Sequence, residues 1–344
     1  MGDFYDGNKL LSLSDVDGNK PEIYMVTTNK SAGKTTYFSR LCVNKFLLNR
    51  SKFMILYRFN YELDDCAEKF FKDIKYLFFS DFNMKSAPRS NGIYHELFIN
   101  EVPCGYAVSI NNADQIKKMS HLFSDTDRMF MDEFQSETNH YCSDEINKFR
   151  AVHTAVARGR NKQVRYVPVY MCANPVSLLN PYYAAMGISA RLREDTKYLK
   201  GHGFVLEQGF VESASKAQQE SGFNRAFGND IYSAYQTQGV YLNDSKSFVG
   251  VPKGRSKYLA TIKYKGTEYG VREFTELGIV YCDDKPDISY PFKLTLTTQD
   301  HDVNYLMLKR NAVFLGSLRF LFERGCFRFK DLRCKDAIIT ALSY

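Results

Sequence analysis

A chain of 344 residues exceeds the roughly 250–300 at which a single hydrophobic core stops growing, so two domains are the starting expectation. Apolar residues make up 44% and charged residues 25%, which excludes a disordered or low-complexity chain. The net charge of +7 lies mostly toward the end: from Lys246 on, 17 Lys/Arg stand against 11 Asp/Glu, and before it 29 against 28, which points to a polyanionic partner for the tail.

In chain order, EIYMVTT (22–28) predicts a short buried strand, and KTTYFSRLCVNKFLL (34–48) a helix by its apolar spacing. FMILYR (53–58) is a second strand and YELDDCAEKFFKDIKYLF (61–78) a second helix. LFIN and YAVSI flank EVPCG, a hairpin pattern with a Pro–x–Gly turn. DRMFMDEF (127–134) is an apolar strand ending in two acids, DEINKFRAVHTAVAR (144–158) a helix, and VRYVPVYMCA (164–173) a strand interrupted by a proline. Strands alternating with helices predict an α/β class with a parallel sheet covered on both faces. The polar stretch 205–245 predicts a helical linker between a larger α/β domain (1–204) and a small α+β domain (246–344). In the tail, KYLATIKY, TEYGVREF and GIVYC read as strands, 303–323 as a long amphipathic helix, and DLRCKDAIITALSY as a second. Eight cysteines form no C-x-x-C pair, which argues against zinc. With no secretory leader and no apolar run near 18 residues, reduced thiols in a cytosol are expected, and no membrane.

The first strand runs into Thr28, Asn29, Lys30, Ser31, Ala32, Gly33, Lys34, Thr35 and Thr36. Gly33, Lys34 and Thr35 fit the G-x-x-x-x-G-K-[ST] phosphate loop, with Thr28 where that pattern has its first glycine. Such a loop turns its amides onto phosphate oxygens, meets the β/γ charge of ATP with the lysine, and ligates Mg²⁺ with the hydroxyl. The helix N-terminus at Lys34 adds partial positive charge, and Lys30 is a second cation for the γ-phosphate. About 100 residues on, Met129–Phe130–Met131 leads into Asp132 and Glu133. Successive strand residues point opposite ways, so the two acids can differ in task. Asp132 is the candidate Mg²⁺ holder, and Glu133 the candidate base that orients and deprotonates water.

Arg158, Gly159, Arg160, Asn161 and Lys162 make a basic cluster where a helix ends. Cations there complement the helix dipole; alternatively Arg158, or Arg160 next, acts as a finger on a neighbouring subunit's ATP. Asn174, at the tip of strand 164–173, is a candidate γ-phosphate sensor or a turn former before Pro175. Arg58, closing the second strand, is a candidate nucleotide contact. Lys117 and Lys118, in a polar stretch before the acidic strand, are candidate DNA contacts.

Together TNKSAGKTT, FMDEF, ARGR and ANPVSLLNPYY (173–183) resemble the DNA-packaging (encapsidation) ATPase of small podophages with terminal-protein-capped genomes. The match continues patchily through 256–300. The resemblance implies an additional-strand (ASCE) P-loop ATPase core with a parallel-type sheet. It also implies a linker and an RNase H-like domain without nuclease activity, for binding nucleic acid or portal. It implies a homopentameric ring on a viral portal with structural RNA, driving double-stranded DNA into a prohead in the host cytoplasm. By position it gives Lys34 and Thr35 to phosphate and Mg²⁺, Asp132 and Glu133 to hydrolysis, and Arg158 to action in trans. The tail supports a binding role: Lys257–Tyr264 carries no acid, and Asp283 and Asp284 lack an obvious partner for two-metal cleavage. Two other readings use the same motifs: a different ring translocase or helicase, and a non-catalytic nucleic-acid binder with a decayed loop.

Overall fold

The strongest apolar runs of the sequence become the middle of one sheet, as the computed structural model of the protein shows. It describes residues 4–342 except 139, 161, 190, 193–195, 228–230, 239–240 and 242–247. Asn161 of the basic cluster, part of segment 205–245, and residues 246–247 of the tail therefore lie outside the described residues. The chain divides into two units, Met1–Asn243 and Asp244–Tyr344.

The first unit follows the order α1 (Asn8–Leu11), β1 (Ile23–Thr27), α2 (Lys34–Asn49), β2 (Lys52–Tyr57), α3 (Asn60–Phe78), β3 (Met84–Arg89), β4 (Tyr94–Ile99) and β5 (Val102–Ser109). It continues with α4 (Ala113–Lys118), β6 (Thr126–Asp132), α5 (Glu145–Val156), β7 (Val169–Ala173), α6 (Pro181–Ala185), β8 (Tyr198–Gly201), β9 (Phe204–Gln208), α7 (Glu212–Glu220), α8 (Gly222–Phe227) and α9 (Ile231–Gln238). The sheet order is β3-β4-β5-β2-β6-β7-β1-β9-β8. From β5 to β9 all neighbours are parallel; β3, β4 and β8 add antiparallel margins. β7 stands between β1 and β6, so the phosphate-loop strand and the acidic strand are separated by one added strand, the ASCE arrangement.

Alternation along the strands fills two cores. Met129 and Met131 of β6 face α4, α5 and α6 with Ile116, Phe149, Val152 and Tyr182. Phe130 faces the opposite side, with Phe38, Cys42 and Phe46 of α2 and Phe70 and Phe71 of α3. Fully burying one such side chain contributes roughly 1.5–3 kcal/mol. Helices on both faces leave the carboxyl ends of the parallel strands as the open edge, where α/β sheets take their ligands.

Three local expectations are corrected. The hairpin does not turn at Pro103–Cys104–Gly105; it turns at Asn100 and Glu101, both at positive φ (47° and 61°). Gly105 lies inside β5, where an added Cβ would come within 2.1 Å of the Phe53 carbonyl oxygen, so its need is close approach, not a turn. Strand 164–173 begins after Pro168, as Val169–Ala173. The polar segment from 205 on opens as β9, because Phe204, Val205 and Leu206 pair with β1 and are buried.

The second unit holds β10 (Lys257–Tyr264), β11 (Thr267–Phe274), β12 (Ile279–Asp283), β13 (Lys293–Thr295), β14 (Leu306–Met307), α10 (Ala312–Glu323), β15 (Phe327–Phe329) and α11 (Leu332–Leu342). Its sheet order is β14-β13-β10-β11-β12-β15, antiparallel through β10–β11–β12 and parallel elsewhere. The long helix expected over 303–323 starts only at Ala312. Asn311 ends the preceding turn by accepting Phe314 N at 3.3 Å, the capping role asparagine favours.

Candidate nucleotide site

Thr28 to Gly33 leave the carboxyl end of β1 and enter α2, whose N-cap, Gly33, has φ 92°. Ser31 also takes a left-handed φ of 61°, whereas Thr28 does not. The missing first glycine is thus no obstacle: the left-handed positions of this loop are 31 and 33. Thr28 is buried and Asn29 is locked to the segment after β9, with Nδ2 donating to Val211 O (3.1 Å) and Oδ1 accepting Val211 N (2.9 Å). Ala32 is buried, and its carbonyl accepts Tyr5 N at 2.8 Å.

Lys34 begins α2 and is 7% exposed. Its Nζ donates to Asn174 Oδ1 at 2.6 Å, so the phosphate-loop lysine and the tip of β7 meet. Burial pulls the Lys34 ammonium below the usual lysine range, against the opposing pull of Cys172, Asp132 and Glu133. Thr35 Oγ1 donates to Asp132 Oδ1 at 3.1 Å. The Cys172 thiol, buried on β7, donates to the same oxygen at 3.0 Å. A hydroxyl and a carboxylate at hydrogen-bond distance are hard oxygen donors, which suit Mg²⁺. Glu133 follows at a left-handed φ of 53°, which turns it away from the strand direction. Burial raises its carboxyl above the ordinary range, helped by the charges of Asp132 and Glu137. Lys30, Lys34, Thr35, Asp132, Glu133 and Asn174 line one cleft of about 270 Å³. Thr36 lines an adjoining cavity with Thr35 and the two acids.

Sequence reasoning missed Glu137, Tyr232 and Tyr235. Lys30 Nζ pairs with Glu137 Oε1 at 2.9 Å, donates to Tyr232 Oη at 3.1 Å, and lies over both tyrosine rings. Tyr235 Oη donates to Glu137 Oε1 at 2.6 Å. Gln218 Nε2 reaches Ser31 Oγ at 2.9 Å, so α7 and α9 both touch the phosphate loop. These residues come from segments about 100 and 200 positions apart, and no spacing announces them.

Arg58 lines the adjoining cavity with Thr35, Asp132 and Glu133, but its side chain is already engaged. Its Nε donates to both oxygens of Glu145 (3.0 and 2.9 Å), and its Nη2 to the carbonyls of Glu133 (3.3 Å) and Phe134 (3.0 Å). It holds the turn after the acids, while Glu145 is also bound by Tyr182 Oη and Cys142 N. Removing one member of so buried a pair costs about 3–5 kcal/mol.

Arg160 Nη1 pairs with Asp127 at 2.9 Å, near the start of β6. Asp132 lies five positions along the strand from Asp127, roughly 17 Å. The arginine cluster therefore sits at the opposite end of β6 from its own chain's acids. Arg158 is exposed and has no ion pair among the described residues. Lys117 and Lys118 end α4, both exposed.

Comparison with known proteins gives one family: the model of the podovirus DNA encapsidation protein (Gp16) matches residues 2–342. The DNA packaging protein of Bacillus phage phi29 is 22% identical over 337 residues, covering 95% of this chain and 93% of that protein. That of Bacillus phage B103 is 22% identical over 305 residues, covering 85% and 90%. Among solved structures, the bacteriophage Phi-29 viral genome packaging motor assembly has a chain of similar fold. Its TM-score is 0.70 at 21% identity, with 100% of this chain and 98% of that one covered. The Phi-28 gp11 DNA packaging motor matches at TM-score 0.60 and 14% identity, over 100% and 99%.

Proposed function

This chain belongs to the podovirus DNA encapsidation protein family, and from that premise we propose that it is an ATP-hydrolysing ring motor moving double-stranded DNA into a viral prohead. One observation carries the reading: Lys34, Asp132 and Glu133 share a single cleft at the carboxyl edge of a parallel sheet. Lys34 meets the charge of the terminal phosphates, and the α2 N-terminus offers its amides. Thr35 and Asp132 would hold Mg²⁺, which when bound would neutralise charge on the terminal phosphates. Glu133 orients water and accepts its proton, a task its raised carboxyl suits. Asn174, already bonded to Lys34, responds when phosphate claims that ammonium. Lys30 is the second cation, released by Glu137 to the γ-phosphate.

Arg158 completes the site of a neighbouring copy. The distance along β6 supports action in trans over action on its own nucleotide. The ring, pentameric in the resemblance, docks on a portal with structural RNA in the host cytoplasm. Lys117 and Lys118 contact DNA phosphates, and a 246–344 domain of RNase H-like kind binds nucleic acid or portal without cutting. The β10–β11–β12 meander flanked by parallel β13 supports that domain reading. The test is steady-state ATP hydrolysis by the full chain with and without duplex DNA. Duplex-stimulated turnover is expected. Absent hydrolysis favours the decayed-loop binder, and unwinding of a forked substrate favours a helicase. DNA affinity should also fall steeply with salt, since phosphate contacts dominate.

A further inference from the structure

On the other flank of the phosphate loop from Asp132 and Glu133 lies a separate cavity of about 540 Å³. Its walls are the segment before α1 and the segment leaving β9, and both are fastened to the loop. Tyr5 N donates to Ala32 O at 2.8 Å, and the Phe4 ring lies 3.2 Å from where a Cβ on Gly33 would stand. Gly209 N donates to Thr27 O at 2.8 Å, and Val211 exchanges two hydrogen bonds with Asn29. Whatever occupies this cavity is held in fixed relation to the phosphates.

Two phenylalanines stand open in it: Phe4 is 72% exposed and Phe210 is 55% exposed. Neither ring packs on another aromatic among the described residues. The nearby carboxylate of Glu207 is already used, by Tyr5 Oη (2.8 Å) and Tyr198 Oη (3.0 Å). The two open rings therefore offer flat apolar faces, the kind on which a base stacks, in a wall that also carries Asp6, Lys197, Gln208 and Glu212.

The direction of the ligand follows from its other end. A triphosphate whose terminal phosphate meets Lys34 and the acids has its β-phosphate at the α2 N-terminus. Its ribose and base then leave away from the acids. The segment before α1 packs on the first turn of α2, Tyr5 edge-on to Tyr37 at 5.7 Å, along that exit. We propose that this cavity is the nucleobase site, where the purine of ATP stacks on Phe210 and is bounded by Phe4. The proposal rests on the ATPase reading and adds the residues that recognise the base.

Calorimetry on the full chain with Mg²⁺ tests it, using ATP, UTP and inorganic tripolyphosphate as ligands. Phe210→Ala should weaken ATP on the order of ten-fold and shrink the preference for ATP over UTP. It should leave tripolyphosphate binding unchanged, and Phe210→Trp should restore ATP affinity. Unchanged ATP affinity in Phe210→Ala overturns the proposal, as does a parallel loss of ATP and tripolyphosphate, which would make Phe210 a support of the loop. If the native chain binds none of the three ligands, or Lys34→Ala leaves tripolyphosphate binding intact, the phosphate site itself fails and the base site with it.

Discussion

Asp132 closes β6 in the first unit, with Glu133 after it; Asp283 closes β12 in the second, with Asp284 after it. The sequence offers the same feature twice, an apolar strand ending in adjacent acids. Their surroundings differ. Asp132 Oδ1 is met by a hydroxyl, a thiol and the Glu133 amide, none of them a cation. Asp283 instead pairs with Arg272 at 3.1 Å, and Asp284 with Lys330 at 2.5 Å and Arg333 at 3.7 Å. A carboxylate already neutralised by a guanidinium or ammonium has little to offer a metal ion. An acid doublet says nothing of catalysis until its neighbours are known.

The first acid pair has no ion pair of its own among the described residues and shares its cleft with Lys30 and Lys34, so a further cation from a neighbouring copy sets the sharpest test of the difference. Arg158→Ala should lower turnover about 10³–10⁵-fold, the worth of an arginine finger. If Arg158 acts in trans, rings mixed from Arg158→Ala and Glu133→Gln subunits should recover activity that neither variant has alone. No recovery would move the arginine's role into its own subunit. Next in size, Asp132→Asn should cut turnover on the order of a hundred-fold or more, through lost metal binding. Asp283→Asn should leave turnover unchanged; an equal loss at both positions would erase the contrast between the pairs. The smallest effect belongs to Lys330→Ala. It frees a partly exposed pair and should change unfolding free energy by about 0–1 kcal/mol in a denaturant titration.

The motifs were legible where local chemistry suffices. An apolar run, then Gly33–Lys34–Thr35, then helical spacing fixes β1, loop and α2; Met129–Phe130–Met131 before two acids fixes β6. Legibility failed where distant chain decides. The Asn100–Glu101 turn was obscured by Pro103 and Gly105, whose glycine answers to the Phe53 carbonyl of a neighbouring strand. Arg58 reads as a free cation at a strand end, yet Glu145, 87 residues on, claims it. Lys30 meets Glu137 and the tyrosines of α9 across about 100 and 200 residues, and Phe4 and Phe210, as far apart in the chain, line one cavity. Thr28 looked like a defect because the motif is written as a string. The backbone requires left-handed residues at 31 and 33, and the motif's first glycine is not among them here.

The central claim is that Glu133 activates water for a nucleotide held by Lys34. It is tested most directly by measuring ATP affinity and steady-state hydrolysis together for Glu133→Gln. The account predicts near-native affinity with turnover reduced at least about a hundred-fold. Native turnover in that variant would contradict it.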